Sequence, residues 1–179
     1  MAHFAHPASA ILSVAILCGA CAAAPAAKMQ PSANVRTHEP SAPADAARHR
    51  QACQQGDAAA CHAAALDSYY APASPASDRD ALRYFQRACE AGYAPSCNGL
   101  GVLYAEGRGT ARDPVRAAQL YRMSCEGGAS TGCEHLAQAL KQGRGVIQDE
   151  AAAERASARA KCVFQASLAS RDLASCPGL

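Results

Sequence analysis

Tryptophan is absent from the 179-residue chain, and aromatic residues make up only 5% of it. Alanine supplies much of the 50% hydrophobic fraction. Alanine favours helix and lets backbones approach closely, but it buries little apolar area per residue. A core of this composition needs further support, and the ten cysteines of the chain are the obvious source.

A charge excess of either sign is also missing, since the formal net charge is only +2. Proteins built mainly to hold nucleic acid usually carry a concentrated basic surface. The charge balance therefore argues against a nucleic-acid partner. The length fits one domain or one short repeat array.

The strongest apolar run, Ile11–Leu17, is too short to span a bilayer and is typical of a signal peptide. Gly19-Ala20-Cys21 resembles the end of a bacterial lipobox, which favours a signal peptide over 1–20 and lipidation of Cys21. Ordinary cleavage at Ala22-Ala23-Ala24 is the alternative. We expect an exported protein at the periplasmic face of a bacterial membrane, or a periplasmic or secreted one without the anchor. Contact with the membrane would be through the lipid only.

Residues 21–44 are rich in proline, alanine and serine. This composition buries too little surface to order itself, so it predicts a disordered linker. The folded domain is expected over residues 45–179.

Eight cysteines follow the linker, and an even number in an exported protein indicates a disulfide framework. Eight cysteines allow 105 connectivities. A 36-residue repeat narrows the choice, because Cys53, Cys89 and Cys125 each begin a pair of cysteines eight residues apart. If each unit closes on itself, the pairs are Cys53–Cys61, Cys89–Cys97 and Cys125–Cys133, which leaves Cys162 and Cys176 to each other.

The repeat extends beyond the cysteines. Gly107-Arg108-Gly109 and Gly143-Arg144-Gly145 stand in the same 36-residue frame as the cysteine pairs. A repeat period of this size indicates a solenoid. The first unit lacks the Gly-Arg-Gly element, and the last cysteines fall out of frame, as is common for the terminal units of a stack.

Each unit is predicted to form two antiparallel helices, and strand signals are absent. One cysteine falls in the last turn of a helix and the other in the first turn of the next, where a Cα separation of about 5.5–6 Å suits a disulfide. The predicted helices are Arg79–Ala91 capped by Ser77-Asp78, Ser96–Glu106, a helix opened by Asp113-Pro114 and ending near Glu126, Gly132–Gln142, and a last helix capped by Asp149 and ending near Val163.

Residues 46–163 resemble the Sel1-like repeat, and the cysteine-bridged units resemble its cysteine-rich, secreted type. The resemblance implies a right-handed superhelix of helical hairpins with one disulfide per hairpin. Some members are described as weak β-lactam-binding or β-lactamase proteins, and others are adaptors that assemble complexes. The residues that carry the resemblance are Cys89-Glu90, Gly92 and Cys97, then Leu100-Gly101, Tyr104, Gly107 and Gly109, then Asp113, Ala117 and Leu120-Tyr121.

Catalytic motifs do not accompany this pattern. No serine has a lysine three residues later, as a serine β-lactamase requires. The cysteine spacing does not match a zinc site. His62 and His135 each follow a second cysteine, but neither is paired with a nucleophile. The sequence therefore predicts no catalytic residue, metal or cofactor, and β-lactam binding or weak hydrolysis is an alternative from the resemblance alone.

Arginines recur on one predicted helix of each unit. Arg79, Arg83 and Arg87 lie four residues apart, and Arg116 and Arg122 follow on the equivalent helix. The resemblance implies that the first helix of each pair lines the concave side. Arg83, Arg87, Arg116 and Arg122 could then form a basic groove for an acidic peptide, although a solvated face is the simpler explanation.

The sequence as a whole favours a non-enzymatic, disulfide-bridged scaffold, tethered to a membrane and binding a protein or peptide partner.

Overall fold

The computed structural model describes residues 42–170 and 172–179. The predicted signal peptide, Cys21 and all but the end of the predicted linker lie outside these residues. Every regular element in the described ranges is helical, which confirms the all-α prediction, and no helix there is long and apolar enough to cross a membrane. The elements are α1 (Pro43–Gln54), α2 (Ala58–Tyr69), α3 (Pro75–Glu90), α4 (Ala94–Glu106), α5 (Pro114–Glu126), α6 (Ser130–Gln142), α7 (Glu150–Ala169) and a 3-10 turn at Leu173–Ser175.

The helices stack as a short α-solenoid. Each helix packs against the next one along the chain, and α4 also contacts α6. The pairs α1–α2, α3–α4 and α5–α6 are hairpins joined by short turns, and α7 packs on α6. The even-numbered helices therefore form one layer and the odd-numbered helices the other.

A disulfide closes each of the three hairpins. The Cα atoms of Cys53 and Cys61 are 4.5 Å apart, those of Cys89 and Cys97 4.7 Å, and those of Cys125 and Cys133 4.4 Å. These separations are shorter than the sequence prediction, because the cysteines lie at the two ends of a tight turn. A fourth disulfide joins Cys162 to Cys176, with Cα atoms 5.6 Å apart. Four disulfides indicate an oxidising compartment.

Aspartates begin several helices, as predicted for α5 and α7. The Asp113 carboxylate accepts a hydrogen bond from the Arg116 backbone N–H at 2.9 Å, and Asp149 accepts one from Ala152 at 2.9 Å. Each bond satisfies a backbone donor that the first helical turn leaves unpaired. At the other end, Gly107 closes α4 in the left-handed conformation, with φ of 74°.

Four helices have a boundary that differs from the sequence prediction by two residues or more. Helix α3 begins at Pro75 rather than Arg79, because Ser74 takes the extended cap conformation and exchanges hydrogen bonds with Ser77. Helix α7 continues to Ala169 rather than ending near Val163, because its buried stripe extends through Ala166. Helices α4 and α6 begin two residues earlier than predicted, after Tyr93 and Ala129 in extended conformations.

The core combines a few large side chains with many alanines. Phe85, Leu103, Leu120 and Leu136 are fully buried among alanines of neighbouring helices. Small side chains let the helices lie close together, and the closeness brings the turn ends within disulfide distance.

The second glycine of each Gly-Arg-Gly element packs against the start of the odd-numbered helix that precedes it in the chain. Gly109 has φ of 71°, and a Cβ placed on it would lie 2.6 Å from the Asp78 carbonyl oxygen at the start of α3. Gly145 approaches the Pro114 carbonyl at the start of α5 in the same way. A left-handed glycine is required here for both its conformation and its lack of a side chain.

Candidate protein-binding groove

A groove of about 270 Å³ lies between α2 and α4. Leu66, Tyr69 and Tyr70 contribute to its α2 side, and Asn98 and Val102 to its α4 side. Phe85 of α3 also lines it. These positions follow from the hairpin stack, which brings the C-terminal half of α2 beside the middle of α4. The groove is somewhat smaller than the roughly 300–1,000 Å³ of pockets that enclose a whole drug-sized ligand.

Histidines connect the even-numbered helices. His62 Nδ1 lies 2.8 Å from Oγ of the fully buried Ser96, and His135 Nδ1 lies 2.7 Å from Asn98 Oδ1. These hydrogen bonds link α2 to α4 and α4 to α6. Burial lowers the pKa of His135 below its usual value, because the charged imidazolium is poorly solvated there.

Arg108 fixes the end of the groove. Its Nη2 donates to the Tyr69 carbonyl at 3.2 Å, and its guanidinium carbon lies 4.2 Å from the Tyr69 ring centroid. The same side chain forms an ion pair with Asp78 at 2.7 Å. Burial is the main cause that raises the pKa of Tyr69. The Tyr69 ring is thus held against a cation, in the geometry of a cation–π contact.

The equivalent place in the next unit is closed. The His135 ring stacks on the Tyr121 ring, with centroids 4.9 Å apart and planes 25° apart. Only about 50 Å³ remains beside this pair. Burial raises the pKa of Tyr121 to about 12, so its hydroxyl is neutral at physiological pH.

These features define the class of protein: a disulfide-bridged α-helical repeat scaffold with a groove between two repeats. Comparison with protein families finds three Sel1 repeats, over residues 58–93, 94–128 and 130–155. The chain belongs to the Sel1 repeat family. Members of this family are mainly non-enzymatic scaffolds, and their repeats generally mediate binding between proteins.

Solved structures share the fold. A Sel1 repeat protein from Oxalobacter formigenes is 22% identical, with a TM-score of 0.58 over 64% of this chain and 88% of that one. The cysteine rich protein B of Helicobacter pylori is 24% identical, with a TM-score of 0.53 over 65% of this chain and 84% of its own.

A protective antigen of uropathogenic Escherichia coli that displays an SLR fold is 28% identical, with a TM-score of 0.53 over 70% of this chain. The match spans only 25% of that antigen. No curated protein sequence matches the chain.

The matched repeats begin at the first residues of α2, α4 and α6. The odd-numbered helices α3 and α5 are therefore second helices of their repeats, whereas the prediction of a basic groove treated them as first helices. By the family expectation stated above, α2, α4 and α6 would line the concave side. With the repeats in this frame, the expected binding face is the layer of even-numbered helices, which also contains the groove.

None of the four predicted arginines lines this groove. Arg83, Arg87 and Arg116 are exposed on α3 and α5, where Arg83 pairs with Asp80 at 3.0 Å. Arg122 lines a separate depression beside Leu140. Recognition of an acidic peptide by these arginines stays a prediction for a different face of the molecule.

Sequence reasoning did not single out the groove residues Leu66, Tyr69 and Tyr70. Their signal is the concentration of large side chains at the end of a helix otherwise built from alanine. The repeat pattern does not point to these residues, because the first unit lacks the Gly-Arg-Gly element. His62, which directly follows the second cysteine of the first pair, also lines the groove.

The described residues do not form a recognisable metal site. Residues 42–170 and 172–179 contain no cluster of three or more His, Cys, Asp or Glu side chains that could hold a metal ion. The β-lactam alternative stays a prediction from family resemblance.

Proposed function

We infer that the protein is an exported scaffold that binds a protein or peptide partner in the groove between α2 and α4. The observation that carries this proposal is the groove itself, which lies on the helices that open the first two Sel1 repeats. Its walls combine aromatic and aliphatic side chains with the polar groups of His62 and Asn98. Apolar surface with a few fixed polar groups is typical of binding sites.

Rigidity supports the proposal. The two hairpins that border the groove are each closed by a disulfide, and Arg108 ties the end of α2 to the start of α3. A site held in place before binding loses less conformational entropy when the partner docks. A partner could therefore bind to this groove without a loss of conformational entropy in the helices that form it.

Export and tethering belong to the same proposal. The four disulfides need an oxidising compartment, and the apolar run Ile11–Leu17 supports passage out of the cytoplasm. The proposed lipid attaches to Cys21 and would anchor the protein to the membrane. A Cys21→Ser variant should then appear in the soluble envelope fraction, and an unchanged membrane fraction would refute the anchor.

Site-specific photo-crosslinking tests the binding face. A photo-reactive phenylalanine in place of Tyr70, which is 49% exposed, should crosslink a partner in envelope extract. The same group in place of Arg87 on α3 is the matched control. Crosslinks from Arg87 but none from Tyr70 would move the site to the arginine-bearing face and overturn the groove proposal.

A further inference from the structure

The central arginines of the two Gly-Arg-Gly elements, Arg108 and Arg144, stand 36 residues apart. The backbone holds them in the same way, because Gly109 and Gly145 each pack against a carbonyl oxygen at the start of the odd-numbered helix that precedes them. The two guanidinium groups therefore begin from equivalent places, and differences in their surroundings come from the neighbouring side chains.

Arg108 is neutralised by a carboxylate of the chain itself. It donates to Asp78 Oδ1 from Nε at 2.9 Å and from Nη2 at 2.7 Å, and Nη2 also donates to the Tyr69 carbonyl at 3.2 Å. Hydrogen bonds between two charged groups are among the strongest in proteins. The charge of this arginine is therefore compensated within the fold.

Arg144 lacks such a partner. Pro114 stands 36 residues after Asp78, and a proline side chain offers no acceptor. Within residues 42–170 and 172–179, the Arg144 guanidinium forms neither an ion pair nor a hydrogen bond. The Ala105 carbonyl, which corresponds to the backbone acceptor in the preceding repeat, is taken by Arg112 Nε at 3.0 Å. The repeat therefore keeps the cation and loses both of its acceptors.

A cavity of about 50 Å³ lies beside Arg144. Arg112 and Gln138 stand at its exposed rim, and the stacked rings of Tyr121 and His135 line its inner side. One water molecule needs about 10–15 Å³ of such space, so the cavity holds about three to five groups of that size. A single carboxylate group is of this size.

The Tyr121 hydroxyl also lacks a partner. Its side chain is 7% exposed, and the hydroxyl forms no hydrogen bond with the residues that the structure describes. Burial raises the pKa of Tyr121 to about 12, and the positive charge of Arg144 opposes that rise. The hydroxyl keeps its proton at neutral pH and can donate it to an acceptor in the cavity.

The charges around the cavity favour an anion. Its lining contains Arg112 and Arg144 but no Asp or Glu. The carboxylates closest in sequence are engaged elsewhere, since Glu106 lies 3.9 Å from Arg108 Nη1 and Asp113 caps α5. An anion in the cavity would therefore meet two guanidinium groups and a hydroxyl donor without a competing negative charge in the lining.

We propose that this cavity binds one carboxylate group of a ligand, which pairs with Arg144 as Asp78 pairs with Arg108 in the preceding repeat. The Tyr121 hydroxyl donates to the same carboxylate. An acidic side chain and the C-terminal carboxylate of a peptide share this chemistry. The cavity has no lining residue in common with the groove between α2 and α4, so the site does not depend on the proposed function.

The test uses capped tripeptides Gly-Xaa-Gly and ¹H–¹⁵N NMR of the disulfide-bonded protein. The Asp and Glu peptides should shift the Gln138 and Gly145 amides saturably and bind at least about tenfold more tightly than the Asn and Gln peptides. Acetylated Gly-Gly-Gly with a free C-terminal carboxylate, compared with its amide, tests the other source. The tighter of the two carboxylates identifies the source, whereas tighter binding of inorganic phosphate than of either would overturn the assignment.

Variants locate the binding. Arg144→Gln should abolish the preference for the Asp peptide over the Asn peptide, whereas Arg87→Gln, at an exposed arginine of α3, should leave it unchanged. Tyr121→Phe removes only the hydroxyl and should weaken binding of the Asp peptide about threefold. Pro114→Asp restores a carboxylate at the position of Asp78 and should also abolish binding, while the matched Pro114→Asn should retain it.

Arg144 is exposed, so its replacement removes no core packing. The lack of a saturable shift at Gln138 and Gly145, or an Asp preference that survives in Arg144→Gln, would overturn the proposal. Loss of the preference in Arg87→Gln instead would assign the carboxylate to the arginines of α3 and overturn it as well. None of these results decides the groove proposal, which the crosslink from Tyr70 tests separately.

Discussion

The guanidinium of Arg108 donates two hydrogen bonds to Asp78 Oδ1, from Nε at 2.9 Å and from Nη2 at 2.7 Å, across 30 residues of sequence. Both side chains are mostly shielded from water, at 25% and 19% exposure. The pair joins the loop after α4 to the first turn of α3. It therefore connects two repeats at the point where Tyr69 borders the groove.

Removal of this link should destabilise the protein. Arg108→Ala leaves the Asp78 carboxylate partly buried without its partner, and we expect a loss of about 1–3 kcal/mol in the free energy of unfolding. Arg144→Ala is the matched control, because Arg144 is exposed and Pro114 stands where Asp78 would be. Chemical denaturation of both variants measures the difference, and equal losses would show that the ion pair has no special role.

Gly109→Ala should also destabilise the chain, by at least about 1 kcal/mol. The added methyl group meets the Asp78 carbonyl and must adopt φ of 71°. Gly92→Ala separates the two effects, because Gly92 has φ of 85° but open space around its Cβ position. If Gly109→Ala lowers the free energy of unfolding no more than Gly92→Ala does, the contact of Gly109 with Asp78 does not contribute to stability.

Acid should weaken the closed site around His135. Burial places the folded-state pKa of His135 below its unfolded value of about 6.5, so the unfolded chain binds the proton more readily. The stability from neutral His135 is complete above that value and is lost as the pH falls below it. His135→Gln removes this titration, and the stability advantage of the wild type over the variant should shrink between pH 7.5 and pH 5. An advantage that stays constant over this range would contradict the account.

The Cys125–Cys133 and Cys162–Cys176 disulfides should stabilise regions of different size. Replacing Cys125 and Cys133, both fully buried, by alanines should cost about 2–5 kcal/mol and loosen the whole stack. Replacing Cys162 and Cys176 should act mainly on the C-terminal turn, which Arg159 also holds through the Pro177 carbonyl at 2.8 Å. Hydrogen exchange distinguishes the two variants, and faster exchange confined to the C-terminal turn in both would refute the distinction.

The architecture could be predicted from sequence because its determinants are local. Asp113 and Asp149 cap helices through residues three positions ahead, and the Gly-Arg-Gly element ends a helix by backbone conformation alone. The sequence does not identify Ser74 as the cap of α3, because Ser77-Asp78 is an equally good local cap, and only the structure shows which serine takes the extended conformation. The sequence leaves open which helix begins each repeat. The hairpins closed by disulfides begin at α1, α3 and α5, whereas the Sel1 repeats begin at α2, α4 and α6.

The groove could not be predicted in this way. Its lining residues lie on three helices and meet only in the folded stack, as Tyr69, Phe85 and Val102 do. Neither spacing nor periodicity indicates that this place is open, whereas the stacked rings of His135 and Tyr121 fill the equivalent place in the next repeat. The arginines, in contrast, form a clear sequence pattern but lie away from the groove.

The affinity of the crosslinked partner for groove variants tests the central claim most directly. Tyr70→Ala should weaken the partner's binding about tenfold, which corresponds to loss of one important contact residue, while Arg87→Ala should leave the dissociation constant unchanged. A dissociation constant that is unaffected by Tyr70→Ala and raised by Arg87→Ala would contradict the account and assign recognition to the arginines of α3.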